Sequence, residues 1–328
     1  MATVLLTGAG GAAIPDLIER LRKSGHRVLT ADMDKYAVGL YMADSGFIIP
    51  AGTSPEFLVA IRHLCLREKV DVLVPLVDEE LVSALELEKN GVVVLLPKRD
   101  FVETCLDKFI LMQRLKSKGI SSPETRLASK ERGRMRFPLV VKPRTGRGSR
   151  GLGIVTSEED LHSFLDTSSY ALDELIVQEY IDGPEFTVSV IVWRDGEVQA
   201  VVPKEIIFKK GVTRLAVTRR HAGIEKLCRD IQKCLRADGP FNVQLRINKD
   251  TGNPFPFEIN PRFSTTISLT IAAGADELVG LITQALEGRK GYKFGNWQEG
   301  MVLIRRTADQ FLDEEAFRGL KVMKVSLG

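Results

Sequence analysis

The chain has 328 residues, with 46 Lys plus Arg against 43 Asp plus Glu, a net charge of +3 with His neutral, and four cysteines. At roughly 150 residues per domain this is two domains or three small ones. A composition of 44% hydrophobic and 27% charged residues is ordinary for a globular protein and too apolar for disorder. The longest aliphatic run, Val92 to Leu96, is too short to span a bilayer, and the opening MATVLLTG has neither a basic n-region nor a cleavage site. Cys65, Cys105, Cys228 and Cys234 form no CxxC pair, and so small an excess of base does not point to nucleic acid. Membrane, secreted, zinc-stapled and fibrous classes are set aside, and a cytoplasmic enzyme or binding protein is expected.

The first hundred residues alternate strand and helix. Val4 to Thr7 reads as a short buried strand, and Gly8-Ala9-Gly10-Gly11 turns the chain into a helix reaching about Ser24, ended by Gly25. Arg27 to Ala31 and Phe47 to Ile49 are the next strands. Ser54 and Pro55 suggest an N-cap and first-turn proline for a helix to about Lys69. Asp71 to Pro75 is a strand, Asp78 to Glu88 a helix and Val92 to Leu96 a strand. Apolar strands alternating with helices predict a parallel sheet covered on both faces. A helix over Asp107 to Lys118 leads away from it.

Beyond about residue 120 the rhythm changes. Leu139 to Lys142 is a strand feeding a loop with Gly146, Gly148 and Gly151, and Gly153 to Val155 returns. Ser157 opens a helix, with Asp160 as its capping-box partner. Ile176 to Tyr180 is a strand, and Thr187 to Trp193 with Val198 to Val202 flank Arg194-Asp195-Gly196, a hairpin signal. Leu227 to Leu235 and Glu277 to Glu287 are helical. Val243 to Ile247 and Pro256 to Ile259 form a second hairpin, and a strand over Met301 to Arg305 completes the chain. The expected fold class is α/β followed by antiparallel α+β.

Three constellations carry chemistry. Thr7-Gly8-Ala9-Gly10-Gly11 after a strand, with Asp32 ending the next, is compatible with a dinucleotide-binding turn, and equally with a tight turn that needs small residues. Lys142 and the loop 143–152 place lysine, Ser149 and three glycines between two strands, a pattern suited to covering phosphates. An exposed arginine-bearing hairpin is the bland alternative. In the third constellation, period two puts Glu258, Asn260 and Arg262 on one strand face, and a hairpin symmetric about Thr251 sets Gln244 opposite Glu258. A carboxylate, two amide oxygens and nucleotide phosphates suit Mg²⁺.

These motifs, in this order and spacing, resemble the ATP-grasp superfamily, and within it one half of the carbamoyl phosphate synthase large subunit. The resemblance runs through VDVLVPLVDEEL, the DKF at 107–109, FPLVVKPRTGRGSRG, VQEYIDGPEFTV, GPFNVQ and FEINPRFS. It implies a Rossmann-like leading domain over 1–105, an ATP-grasp small lobe over 106–180 with its phosphate-covering loop, and a C-terminal lobe over 181–328. By the same resemblance Lys108 and Lys142 contact ATP, and Gly146, Gly148, Ser149 and Gly151 lie in the loop closing over the phosphates. Glu179, Tyr180 and Ile181 form the adenine hinge, and Glu185 meets the ribose. Gln244, Glu258 and Asn260 hold Mg²⁺, with Mn²⁺ as an alternative, and Arg262 steadies an acyl phosphate.

The implied reaction joins a small-molecule carboxylate to an amine at the cost of ATP, with no nucleic-acid or membrane partner. The resemblance also raises dimerisation through the leading domain. The chain departs from the synthase at Thr265, where a further basic residue is expected. Asp78, Glu79 and Glu80 are expected to border the substrate site, attracting a cationic amine or, for at least one of them, capping the turn. The rivals are phosphorylation of a carboxylate or carbamate without amide formation, a nicotinamide oxidoreductase built on the first turn, and a nucleotide-binding module that has lost activity.

Overall fold

The computed structural model describes residues 1–131, 133, 135–148, 150–288 and 293–325. Strand β1 (Thr3–Thr7) is followed by helix α1 (Ile14–Lys23), which buries Ile14, Leu17, Ile18 and Leu21, the i, i+3, i+4, i+7 stripe of its sequence. Then come β2 (Arg27–Asp32), β3 (Ser45–Ile48), α2 (Phe57–Glu68), β4 (Val72–Val74), α3 (Leu81–Ala84) and β5 (Val93–Val94). These strands are parallel in the order β3-β2-β1-β4-β5. The order reverses at β1, and ligand crevices in such sheets lie beyond the carboxyl ends of the strands at that reversal. The 8–11 turn after β1 and the 77–80 turn after β4 both stand at this edge.

Local chemistry explains three differences from the sequence reading. Helix α2 starts at Phe57, because the Ser54 carbonyl accepts from Phe57 N at 3.1 Å, making Ser54 and Pro55 the turn ahead of the helix. The helix expected over Asp78 to Glu88 is α-helical for one turn only, flanked by 3₁₀ turns, because the Glu80 carboxylate folds back onto Leu76 N and Val77 N at 3.1 Å each. Helix α4 (Arg99–Leu106), absent from the expectations, buries Phe101, Val102 and Cys105.

Helix α5 (Lys108–Ser117) leads to β6 (Thr125–Leu127), β7 (Leu139–Pro143), β8 (Gly153–Val155), α6 (Glu158–Thr167) and β9 (Leu175–Glu179). The four strands form an antiparallel sheet in the order β6-β9-β7-β8. The Ser157 hydroxyl accepts from Asp160 N at 3.1 Å and starts α6, while the Asp160 carboxylate accepts from Thr156 N. The chain continues through β10 (Glu185–Val192), β11 (Val198–Lys210), β12 (Val212–Thr218), α7 (Ala222–Leu235), β13 (Phe241–Ile247), β14 (Pro254–Asn260), α8 (Ile267–Ala272), α9 (Glu277–Glu287) and β15 (Val302–Ile304). Its strands form an antiparallel sheet in the order β14-β13-β10-β11-β12-β15. Helix α10 (Glu314–Arg318) then brings β16 (Val322–Lys324) back to pair in parallel with β3. Through β16 the chain therefore returns to the first sheet, covering the edge of β3 whose N–H and C=O groups would otherwise stand unpaired.

The apolar cores tie these sheets together unequally. One continuous cluster joins Val4, Leu6 and Leu17 of the leading unit to Phe263, Ile267, Leu278 and Trp297 of the C-terminal sheet's helical side. Another packs Leu111 and Leu115 of α5 against Val188, Phe241 and Ile259. The small sheet has a core of its own around Leu139, Val141, Leu161 and Val177. No helix among the described residues is long and apolar enough to cross a membrane.

Candidate functional site

A cleft of about 630 Å³ lies between the small sheet and the C-terminal sheet, within the size range of small-molecule sites. Its walls include Lys108, Lys142, Gly146, Gly148, Glu179, Tyr180, Ile181, Glu185, Gln244 and Glu258. The sequence-predicted residues thus converge from five separate segments. Ser149 lies outside the described residues. Gly151, Asn260 and Arg262 are not among the residues that line the cleft.

The base of the glycine loop is built by the DKF motif. Asp107 caps α5 through Oδ1, accepting from Phe109 N at 3.0 Å and Ile110 N at 3.1 Å. Its Oδ2 accepts from Arg144 Nη2 at 2.6 Å and Nε at 3.0 Å, fixing the loop's first residue to the helix. Lys108 follows the cap, is buried, and donates from Nζ to Gly146 O at 2.7 Å. The loop's far end is fixed by Gly151 (φ +65°), where a Cβ would come within 2.9 Å of the Tyr170 ring. Between these points the loop tip reaches the leading unit: Arg147 Nε donates to Glu79 Oε2 at 2.8 Å.

Lys142, the next-to-last residue of β7, lines the cleft. It is 5% exposed, donates from Nζ to Phe257 O at 3.3 Å and stands 5.2 Å from the Phe257 ring centroid. Burial, only partly offset by the Glu258 carboxylate, lowers its pKa to about 8. The hinge follows β9. Glu179 Oε2 accepts from Glu124 N at 3.1 Å, and Gly183 (φ +141°) lets the chain pass so close to β13 that a Cβ would meet Ile247 O at 1.8 Å. Glu185 takes two cations that the sequence reading missed, Lys209 Nζ at 3.2 Å and Arg246 Nη2 at 3.4 Å. Arg246 also lies 5.3 Å from the Tyr180 ring centroid. Its signal was available, since Arg246 follows Gln244 by two residues on one strand.

Gln244 and Glu258 are paired in register across β13 and β14. The hairpin is not symmetric: the register slips between Gln244 and Leu245, so Leu245 faces Pro256 and Phe257 is bulged. The slip lies on the turn side of the pair and is what brings Glu258, in place of Phe257, opposite Gln244. Asn260 faces Asn242, donating from Nδ2 to Asn242 Oδ1 at 3.4 Å, and Asn242 Nδ2 donates to Arg262 O at 3.0 Å. Among the described residues no three His, Cys, Asp or Glu side chains cluster to hold a metal alone. One carboxylate and amide oxygens beside a lysine-lined cleft fit Mg²⁺ that draws its remaining ligands from phosphates and water.

The three acids of the 77–80 turn do three different things. Asp78 accepts from Arg262 Nε, Glu79 holds Arg147, and the buried Glu80 accepts from Thr7 Oγ1, Leu76 N and Val77 N. Glu80 is therefore the capping acid, and the other two face arginines instead of an incoming amine. Burial raises Glu80 to about 7. In the first turn, Asp32 is used locally: Oδ2 accepts from Gly10 N and Oδ1 from Asp34 N, each at 2.9 Å. The carboxylate needed for a dinucleotide ribose is thus bound to its own backbone, which favours the tight-turn explanation.

Three family patterns match successive parts of the chain: "PylC-like, N-terminal domain" over residues 4–93, "D-ala D-ala ligase C-terminus" over 108–229, and "ATP-grasp in the biosynthetic pathway with Ter operon" over 171–307. A carbamoyl-phosphate synthase of Methanobrevibacter smithii is 23% identical over 302 residues, covering 84% of this chain and 79% of that protein. The chain spans 26% of the carbamoyl phosphate synthase large chains of Bifidobacterium longum that it matches. Among solved structures, the biotin carboxylase domain of Hydrogenobacter thermophilus 2-oxoglutarate carboxylase, a dimer in complex with MgADP, ADP and bicarbonate, superposes with a TM-score of 0.72 at 17% identity. That match covers 92% of this chain and 73% of the other. An L-amino acid ligase from Bacillus licheniformis superposes with a TM-score of 0.68 at 18% identity, covering 88% and 74%.

Proposed function

The chain is an ATP-grasp protein that resembles one half of the carbamoyl phosphate synthase large subunit, and from that premise we propose that it is an ATP- and Mg²⁺-dependent carboxylate–amine ligase acting on small molecules. A carboxylate oxygen attacks the γ-phosphorus and ADP leaves. The amine nitrogen then attacks the acyl carbon, and phosphate leaves with the former carboxylate oxygen. The protein's part in such chemistry is positioning and charge neutralisation.

The observation that carries this reading is the pairing of Gln244 with Glu258 on the cleft wall, with Lys142 buried beside them. In this assignment Lys108 and Lys142 neutralise the polyphosphate, and Gly146, Gly148 and Gly151 let the loop cover it. Glu179, Tyr180 and Ile181 receive the adenine, Glu185 the ribose, and Gln244, Glu258 and Asn260 hold Mg²⁺ or Mn²⁺. Arg262 steadies the acyl phosphate. Bound Mg²⁺ supplies charge stabilisation to the transferring phosphoryl group. The four free cysteines fit a reducing cytoplasm, and the dimeric Hydrogenobacter domain makes pairing through the leading unit part of the same proposal.

Purified protein with ATP, Mg²⁺ and a panel of carboxylates and amines tests this. ADP and phosphate released only when both a carboxylate and an amine are present, with an amide as product, is the expected result. An acyl phosphate accumulating without amide supports the phosphorylation rival, and no ATP turnover with any pair overturns the ligase.

A further inference from the structure

The ion pairs of the 77–80 turn share one geometry. Asp78 and Glu79 are adjacent residues of the leading unit, and each engages the Nε of an arginine from a different lobe, Arg262 after β14 and Arg147 on the glycine loop. An exposed ion pair of the Glu79–Arg147 kind adds little stability, so its position matters more than its strength. Both residues line the cleft. The loop's base is fixed by Arg144 on Asp107 and by Lys108 on Gly146 O, so Glu79 sets where the tip stands. A guanidinium carries five donors in a planar fork, and holding one edge at Nε leaves the two Nη groups as a bidentate pair for phosphate oxygens.

Resting on the ATP reading above, we propose that Glu79 is a positioning residue for Arg147, turning its Nη edge onto the terminal phosphate of a bound nucleoside triphosphate, so that the leading unit takes part in phosphate recognition through the loop. Asp78 likewise holds Arg262 by Nε on the opposite lobe, but there Nη1 donates to Phe263 O at 3.2 Å. The arrangement distinguishes a triphosphate from a diphosphate, because Arg147 contacts the group that ADP lacks.

The test is calorimetric titration of the full chain with Mg·ADP and with Mg·β,γ-methylene-ATP, for the wild type, Glu79→Gln, Arg147→Lys and the double variant. The expected result is that Glu79→Gln lowers the preference for the triphosphate about tenfold, equivalent to about 1.4 kcal/mol, and leaves ADP affinity unchanged. Arg147→Lys behaves alike, because lysine keeps the charge and loses the fork. The double variant loses no more than either single one, as expected of two residues acting through one contact. Unchanged ADP affinity also reports an intact fold, which a merely structural role for Glu79 would not separate from triphosphate binding. A preference that is unchanged or increased in Glu79→Gln, or losses that add, overturns the assignment while leaving the ATP reading in place. A wild type that binds neither nucleotide overturns both.

Discussion

Arg262, two residues past β14, donates from Nε to the carboxylate of Asp78, 184 residues earlier in the leading unit. The side chains are 11% and 9% exposed, so this is a largely desolvated pair joining two sheets at the edge where the strand order reverses between β1 and β4. Removing one partner leaves the other charge buried, at a typical cost of about 3–5 kcal/mol. Asp78→Ala is therefore expected to destabilise the chain by roughly 3 kcal/mol in urea unfolding. Replacing both partners by apolar residues, as in Asp78→Leu with Arg262→Met, should recover most of that loss without restoring turnover. A double variant whose destabilisation equals the sum of the Asp78 and Arg262 single losses would show that the pair is not coupled.

The buried Glu80 gives the fold a pH dependence of predictable sign. Its pKa rises from 4.5 to about 7, burial being the largest cause. Between these values the folded chain keeps a proton that the unfolded chain has lost, so stability falls as pH rises through that window and is flat above it. The contribution is on the order of 3 kcal/mol across the window. Glu80→Gln, which keeps an oxygen acceptor for Thr7 and the turn, should flatten this slope. Chemical denaturation at pH 5, 6, 7 and 8 measures it, and an unchanged slope in the variant removes Glu80 as the cause.

Lys142 predicts proton uptake on nucleotide binding. With its pKa lowered to about 8 by burial, the free chain has lost much of this proton just above pH 8. A polyphosphate beside the amine favours the charged form and draws the proton back. Titrations at pH 8.5 in two buffers of different ionisation enthalpy should show uptake of a large fraction of one proton, and Lys142→Met should abolish it. The affinity of the wild type should weaken as pH rises above about 8. Equal uptake in Lys142→Met assigns the proton elsewhere.

Gln244 and Glu258 predict the metal dependence. Chelation of divalent cations should stop turnover, and Mn²⁺ should restore it at least in part. Glu258→Gln keeps the side chain's size and removes the charge, so it should lower turnover by about 10²–10³ without a change in unfolding midpoint. Near-normal turnover in a folded Glu258→Gln chain would sink the metal assignment.

Much of the site was legible because short motifs sit on regular elements. A hairpin count about Thr251 set Gln244 opposite Glu258, but the turn-side register, with Ile247 facing Pro254, would have put Gln244 opposite Phe257; the bulge at Phe257 is what brings Glu258 into place. The DKF motif was legible only by resemblance, since nothing in the sequence shows that Asp107 caps a helix while gripping Arg144. What stayed hidden depends on contacts distant in sequence. Asp78, Glu79 and Glu80 look alike in the chain, and only the fold sends them to Arg262, Arg147 and Thr7. Arg305 is a further case: it reaches Ala12 O and Thr265 O, spanning the first turn and the segment where a basic residue was expected. The return of β16 to the first sheet could not be read from a short terminal segment with little hydrophobic periodicity.

The central claim is that a carboxylate is activated on this chain as an acyl phosphate. Once the screen identifies a substrate pair, the carboxylate labelled with ¹⁸O in both oxygens decides it. Mass analysis of the inorganic phosphate released with ADP should find one ¹⁸O per phosphate, because the oxygen that attacks the γ-phosphorus leaves with it when the amine displaces phosphate. Phosphate free of ¹⁸O, formed at the same rate as the amide, would contradict the account.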